Sequence, residues 1–320
     1  MAPPNPSRDD LRSVADWLAG VRPRLAAELR TAGRVLIRDL PLRTGADLAR
    51  VRELLGVRVA RTTEAFGHRR VLGPDVLSDL RWPADRDRCP FPEQCFSTHF
   101  PDLVILACLA APRSGGQLLV ADNREVPRHL PADLVDRFRA VGWRLSRTFH
   151  PSFGISWQEG FDVADAAELE VALDDQQIDW EWLPDGVLRT RRRRAAIVRH
   201  PATGDDCWFN AAGFLNEWSL VPAERQLMIA AFGAGQLPVN TAFGDGAALS
   251  EQDTATIQDA YDLAAERVAL APGDVMLVDN VLTSCGRCAY QGDLALAVAL
   301  CDGVAGLAAR TDVSTLDGRA

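Results

Sequence analysis

The stretch Asp274–Asp302, DVMLVDNVLTSCGRCAYQGDLALAVALCD, constrains the fold more than any other part of the chain. Two apolar runs, Val275–Val278 and Leu294–Leu300, have the length and composition of buried strands. Between them the sequence reads as a polar loop carrying Asp279, Asn280, Thr283, Ser284, Cys285, Gly286, Arg287 and Cys288. The rest of the chain has to be read around this strand, loop and strand.

Taken in order, residues 1–10 read as a disordered, polar, proline-rich start with no signal peptide, which points to a cytoplasmic protein. From Asp9 to about Arg30, Leu11, Val14, Leu18, Val21, Leu25 and Leu29 recur at helical spacing, an amphipathic helix on the edge of the domain. Val35–Arg38 reads as a short strand and Thr44–Leu55 as a helix. Leu103–Leu109 is a continuous apolar run, as a buried strand requires, and a turn, a strand and a helix start follow it in SGGQLLVADNREV. Trp143–Phe149, Ile178–Leu183 and Val187–Val198 read as strands, the last two joined by a Pro-Asp-Gly turn suited to a hairpin. Pro222–Phe232 and Ser250–Glu266 read as outer helices, the second with Ser250 as cap and Asp253 three residues on. Many short strands with a few helices predict a mixed α/β, mainly β fold, a sandwich or jelly roll with helical insertions.

With 320 residues, 47% of them apolar, and no linker-like stretch, the chain has enough core for one large domain. Its net charge of −9 argues against nucleic acid or an anionic membrane surface as the main partner. The run Arg191–Arg194 reads as a solvated face inside a strand-like segment. No apolar run approaches the roughly 20 residues of a membrane span. The sequence holds no lysine, so all 35 basic residues are arginine. That excludes an internal Schiff base with pyridoxal phosphate and lysine-dependent phosphate chemistry. Seven cysteines, an odd number, do not suggest a disulfide framework.

The cadence of 274–302 resembles the C-terminal active-site segment of the iron(II)/2-oxoglutarate oxygenases of the taurine dioxygenase-like (TauD/TfdA) family. Within it the segment looks like that of the amino-acid hydroxylases of natural-product pathways, which reads D-N-x-L-x-A-H-G-R-x-P-F-x-G-x-R-R. The resemblance extends through TFHPSFGISWQEGF at 148–161, RHPATGDDCWFNAAGF at 199–214 and PVNTAFGDGAALSEQD at 238–253. It implies a double-stranded β-helix (jelly roll) over residues 31–320 after an N-terminal extension and helix at 1–30. It also implies that part of 57–92 covers the active site, and that an amino acid or its derivative, free or held on a carrier protein, is the substrate. Oligomeric state is left open, a homo-oligomer included.

The oxygenase mechanism requires His, a carboxylate two residues later and a distant His around the iron. The residues two after the five histidines are Arg70, Pro101, Pro131, Ser152 and Ala202, none a carboxylate, and no histidine follows His200. By resemblance the ligand positions fall on Pro92, Gln94 and Cys285, or, with a slip of one, bring Glu93 inward. The arginine pair that would hold 2-oxoglutarate falls on Leu294 and Ala295, and no arginine lies between Arg287 and Arg310. A carboxylate without such a partner forgoes bonds worth roughly 1.5–3 kcal/mol each. The expectation is therefore a scaffold that binds neither iron(II) nor 2-oxoglutarate and has no cofactor.

In their place Cys285 is the candidate catalytic group, with Glu93, Gln94, His99 or Asp279 as partners, since a thiol needs a base or positive charge beside it to react. Trp157, Asn210, Asn240 and Arg287 are the candidate substrate-binding residues, and non-redox chemistry is the expected reaction class. Equally open is a Cys285 that only fills the space of a histidine. Two further readings are a zinc or cryptic oxygenase site rebuilt from Cys285, Cys288, Cys89 and Cys95, and a silent homologue that binds a ligand or steadies an active oxygenase.

Overall fold

The computed structural model describes residues 11–303, so the expectations for residues 1–10 and for the end of the chain lie outside the described residues. Its organising element is a seven-stranded antiparallel sheet. In order it runs Arg34–Ile37, Val275–Asp279, Leu103–Ala110, Ala295–Asp302, Val76–Ser78 and Val71–Gly73, with Arg58–Val59 pairing off the Ala295–Asp302 strand. The uninterrupted apolar runs of the sequence are explained by this sheet, which is covered on both faces. On one face Leu103, Ile105, Ala107, Val275, Leu277, Ala297 and Ala299 pack beneath two helices, Leu11–Ala32 and Gly45–Leu55. Val14, Leu18, Leu25 and Leu29 of the first helix are buried in that same cluster, so this helix belongs to the core. The second helix starts where Thr44 accepts from the Asp47 amide and Asp47 accepts from the Thr44 amide, a reciprocal cap.

The other face carries Val104, Leu106, Met276, Val278, Leu296, Val298 and Leu300. These meet Leu118 and Val120 of a second, four-stranded sheet, ordered Ala265–Val268, Leu118–Asp122, Thr283–Arg287 and Arg88–Phe91. Two facing antiparallel sheets enclosing an apolar interior make the jelly roll. The polar stretch after Asp279 is thus not a loop as the sequence suggests. Residues 283–287 form a strand paired on both sides, because the flanking strands satisfy a backbone whose side chains alone give no strand signal.

A third sheet, Asp179–Trp182, Leu188–Arg194, Trp143–Phe149 and Val239–Phe243, is inserted against these two. Its first pair is the expected hairpin across Pro184–Gly186. Two expected elements are split. The strand read as Val187–Val198 ends at Arg194 and resumes as Ile197–Arg199 with a different partner. The helix read to Glu266 ends at Ala264, where Ala265–Val268 turns into the edge strand of the second sheet. The arginine run also departs from expectation. It alternates along its strand, so Arg192 and Arg194 are each only 2% exposed and point inward, while Arg193 faces out.

Candidate functional site

The corner after Val275–Asp279 is built by side chains. Asp279 accepts from the Val281 and Leu282 amides at 3.0 and 3.1 Å and meets His200 Nε2 at 3.1 Å. His200 Nδ1 accepts from the Thr203 amide, which assigns the imidazole proton to Nε2, donating to Asp279. Asn280 reaches further. Its Oδ1 accepts from the Glu93 amide and its Nδ2 donates to the Glu93 and Pro101 carbonyls, each at 2.8 Å. Asp279 therefore shapes the corner, with its carboxylate spent on His200 and two backbone amides, and Asn280 fixes the segment that carries Glu93.

From that corner the Thr283–Arg287 strand carries Cys285 into the barrel, where its ladder partner is Phe91. Directly paired residues share a face of the sheet, so Phe91 rather than Pro92 stands across from Cys285. Of the two registers considered, this is the one that brings Glu93 inward, and Pro92 is buried without lining the cavity beside it. Gly286 makes the close strand approach feasible, since a Cβ there would lie 2.3 Å from the Arg88 carbonyl oxygen. After Glu93 the chain turns sharply at Gln94, whose φ of 57° is left-handed. The Gln94 amide donates to the Glu64 carbonyl and accepts from Ser97 Oγ, so it too is engaged in holding loops.

The electrostatics of the interior come from residues that no sequence motif announces. Both Glu93 oxygens accept from Arg69 Nη2, at 2.7 and 3.0 Å, and Asp79 accepts from Arg88 Nη1 at 2.9 Å. Burial pushes the Asp79 carboxyl up, but the guanidiniums of Arg88 and then Arg69 outweigh it and hold the carboxyl below its usual range. Arg69 Nη1 and Arg88 Nε are buried with no hydrogen-bond partner among the described residues. Burial, opposed by Arg88 and reinforced by Glu93 and Asp79, pushes the Cys285 thiol up to about 12. A thiol in that state is a poor nucleophile at neutral pH.

Two cavities open beside this cluster and share Arg69 and Leu80. The smaller, about 160 Å³, is lined by Ala65, Phe66, Arg69, Phe91, Glu93 and Gln94 among others. The larger, about 510 Å³, has Arg69, Arg70, Arg81 and Arg287 on its walls, against Asp79 as the one carboxylate among its lining residues. Leu294 and Ala295 also line it, as the resemblance implies. Although that strand brings no arginine, four arrive from other elements, which a search along one strand does not reveal. Arg287 itself stacks on Tyr290 and donates to the Cys288, Trp82 and Pro83 carbonyls.

The remaining sequence candidates lie elsewhere. His99 is exposed beside Thr98. Trp157 packs edge-on to Trp182, Asn210 bonds the Ala196 carbonyl and the Ala212 amide, and Asn240 pairs with Glu217; none lines either cavity. Among the described residues no group of three or more His, Cys, Asp or Glu side chains is placed to hold a metal ion, so the four cysteines do not gather into a zinc site.

Burial raises Cys285 and Cys301 from 9.0 to about 12 and Cys108 to about 11. Above pH 9 the unfolded chain sheds these protons while the native state keeps them, so stability present below pH 9 falls as pH rises toward 12. Urea unfolding at pH 8 and pH 10 should show a lower midpoint at pH 10, by an amount that shrinks in a Cys285→Ala/Cys301→Ala variant.

A family model described as "Taurine catabolism dioxygenase TauD, TfdA family" matches residues 2–299. The dapdiamide synthesis protein DdaC of Enterobacter agglomerans is 29% identical over 276 residues, 86% of this chain and 84% of its own. Among solved structures, asparagine oxygenase in complex with Fe(II), 2S,3S-3-hydroxyasparagine and succinate superimposes with a TM-score of 0.53 at 18% identity, covering 92% of this chain and 84% of that one. A second structure of asparagine oxygenase gives 0.52 at 17% identity with the same coverage. At these identities the likeness to the solved structures is one of fold.

Proposed function

Since the chain belongs to the taurine catabolism dioxygenase TauD, TfdA family, we propose that it is a member working without iron(II) or 2-oxoglutarate, on a small carboxylate-bearing, amino-acid-derived intermediate of a specialised pathway. The observation that carries this reading is the Arg69–Glu93 pair. Glu93 is the carboxylate that stands two residues after Phe91, across the ladder from Cys285, and both of its oxygens accept from one guanidinium nitrogen. An iron(II) at this point would have Phe91 with no donor atom, a neutral thiol and an arginine already on the carboxylate. This donor set does not fit the metal.

What the cavities offer instead is recognition of an anion. The four arginines around the larger one favour a ligand carboxylate, and Arg69, which lines both cavities, keeps a buried Nη1 with no hydrogen-bond partner among the described residues. Glu93 is positioned at the wall of the smaller one to take a proton from the ligand, while the Cys285 thiol lines neither cavity and packs as a neutral group against the apolar interior between the sheets. Elimination, cyclisation and isomerisation can begin with such a transfer, hydrolysis with the same base taking the proton from water, and none of them needs an oxidant. The names of the relatives, a dapdiamide synthesis protein and an asparagine oxygenase, support an amino-acid-derived substrate, free or carried on a thiolation protein.

The deciding experiment is an anaerobic iron(II) titration by calorimetry with 2-oxoglutarate consumption followed in parallel. The expected result is no stoichiometric iron and no consumption above the protein-free control. One equivalent of iron with 2-oxoglutarate turnover would sink the proposal. In screens of amino-acid-derived intermediates, Glu93→Gln should then lower turnover by about a hundredfold or more, in the range seen for general bases. Binding with no turnover in either protein would instead identify a ligand-binding homologue.

A further inference from the structure

The inward half of the arginine run meets an irregular strap, residues 60–69, that walls the smaller cavity through Ala65, Phe66 and Gly67. Glu64, 2% exposed, turns away from the cavity and is ion-paired with both Arg147 and Arg192. Arg147 also donates to the Ala65 and Phe66 carbonyls at 3.1 and 3.2 Å, and Gln94 Nε2 holds the Glu64 carbonyl at 3.1 Å. The guanidinium pair thus fastens the middle of the strap, where the Ala65 amide also donates to the Gly160 carbonyl at 2.7 Å.

The charges do not balance. Two buried arginines face a single carboxylate, and Arg192 Nε and Nη2 are buried with no hydrogen-bond partner among the described residues. Burial raises the Glu64 carboxyl, but Arg192 and Arg147 more than offset this and lower it. A buried Arg–Glu–Arg cluster is weak at stabilising a fold compared with apolar packing, so its presence beside a cavity calls for another use. Two convergent guanidiniums, with the leftover donors on Arg192, are suited to carboxylate recognition.

We infer that Arg147 and Arg192 form a carboxylate-binding subsite that Glu64 fills while the cavity is empty. A ligand carboxylate entering past Phe66 exchanges with Glu64, and the strap swings out as it does so. The exchange conserves charge at the subsite, since one carboxylate replaces another, and it joins the smaller cavity to the apolar groove that shares Phe66, Gly67 and Leu80 with it. This inference goes beyond the proposed reaction and does not depend on whether a metal binds.

The test uses formate and acetate as probes on the full chain, with chloride at equal ionic strength as the control. In the wild type, hydrogen–deuterium exchange of residues 62–67 should speed up with added carboxylate and not with chloride. In Glu64→Gln, which keeps the shape and removes the charge, both probes should raise the thermal midpoint, and adding Arg192→Met should weaken that binding about tenfold or more. Exchange of the strap that ignores carboxylate, or a Glu64→Gln response equal in chloride or unchanged by Arg192→Met, overturns the inference. If Glu64→Gln does not fold, the wild-type exchange experiment decides alone.

Discussion

Replacing Phe91 and Cys285 together by histidine should raise iron(II) affinity over that of the wild type by at least about a hundredfold, or roughly 3 kcal/mol. Phe91 and Cys285 are ladder partners on one face of the second sheet, and Glu93 follows Phe91 by two. The double variant therefore writes His-x-Glu and a distant His into the frame, the two-histidine, one-carboxylate set of iron oxygenases. Arg69 opposes it, because the metal must take Glu93 from that guanidinium. Adding Arg69→Leu should tighten iron further, and removing Glu93 from the double variant should abolish the gain. Anaerobic calorimetry and the optical spectrum of the cobalt(II) form read both. A double variant no better than wild type would mean that these three positions do not converge as described.

The second large effect concerns stability. Asn280→Ala should cost about 3 kcal/mol, because it removes three hydrogen bonds at 2.8 Å and leaves the buried Pro101 carbonyl and both backbone groups of Glu93 short of a partner. Asn280→Asp keeps the acceptor for the Glu93 amide but loses the two donated bonds and brings a charge toward two carbonyls, so it should not rescue. Urea unfolding gives the free energies, and a change of less than about 1 kcal/mol for Asn280→Ala would contradict the role assigned to the corner.

Much of this fold was legible. Leu103–Ala110 and Val275–Asp279 are apolar on both faces because helices cover one side of the sheet and a second sheet the other, and continuous runs signal that burial directly. Ser250 and Asp253 form the reciprocal cap that their spacing suggested. The Thr283–Arg287 strand was not legible, since its residues have little strand propensity and its order comes from two neighbours far away in sequence. Register failed for a related reason. A slip of one residue exchanges Pro92 for Phe91, and only the ladder to Cys285 fixes it. Arg69, Asp79 and Arg88 carry no motif. They are brought together by folding, whereas Asn210, Asn240 and Trp157, singled out by the resemblance, contact the Ala196 carbonyl, Glu217 and Trp182.

The twice-paired strand through Cys285 separates two kinds of inheritance. On one side Ser284 donates to Asn123 at 2.6 Å and Gly286 admits the Arg88 backbone, while on the other Thr283 donates to the Gly33 carbonyl and the inward Cys285 thiol makes no side-chain hydrogen bond among the described residues. A lineage can therefore exchange the inward tenant and its neighbours, and with them the chemistry, while the outward series continues to specify the same barrel. Substitutions at 284 and 286 would be read by selection as failures of folding, and those at 285 as changes of trade.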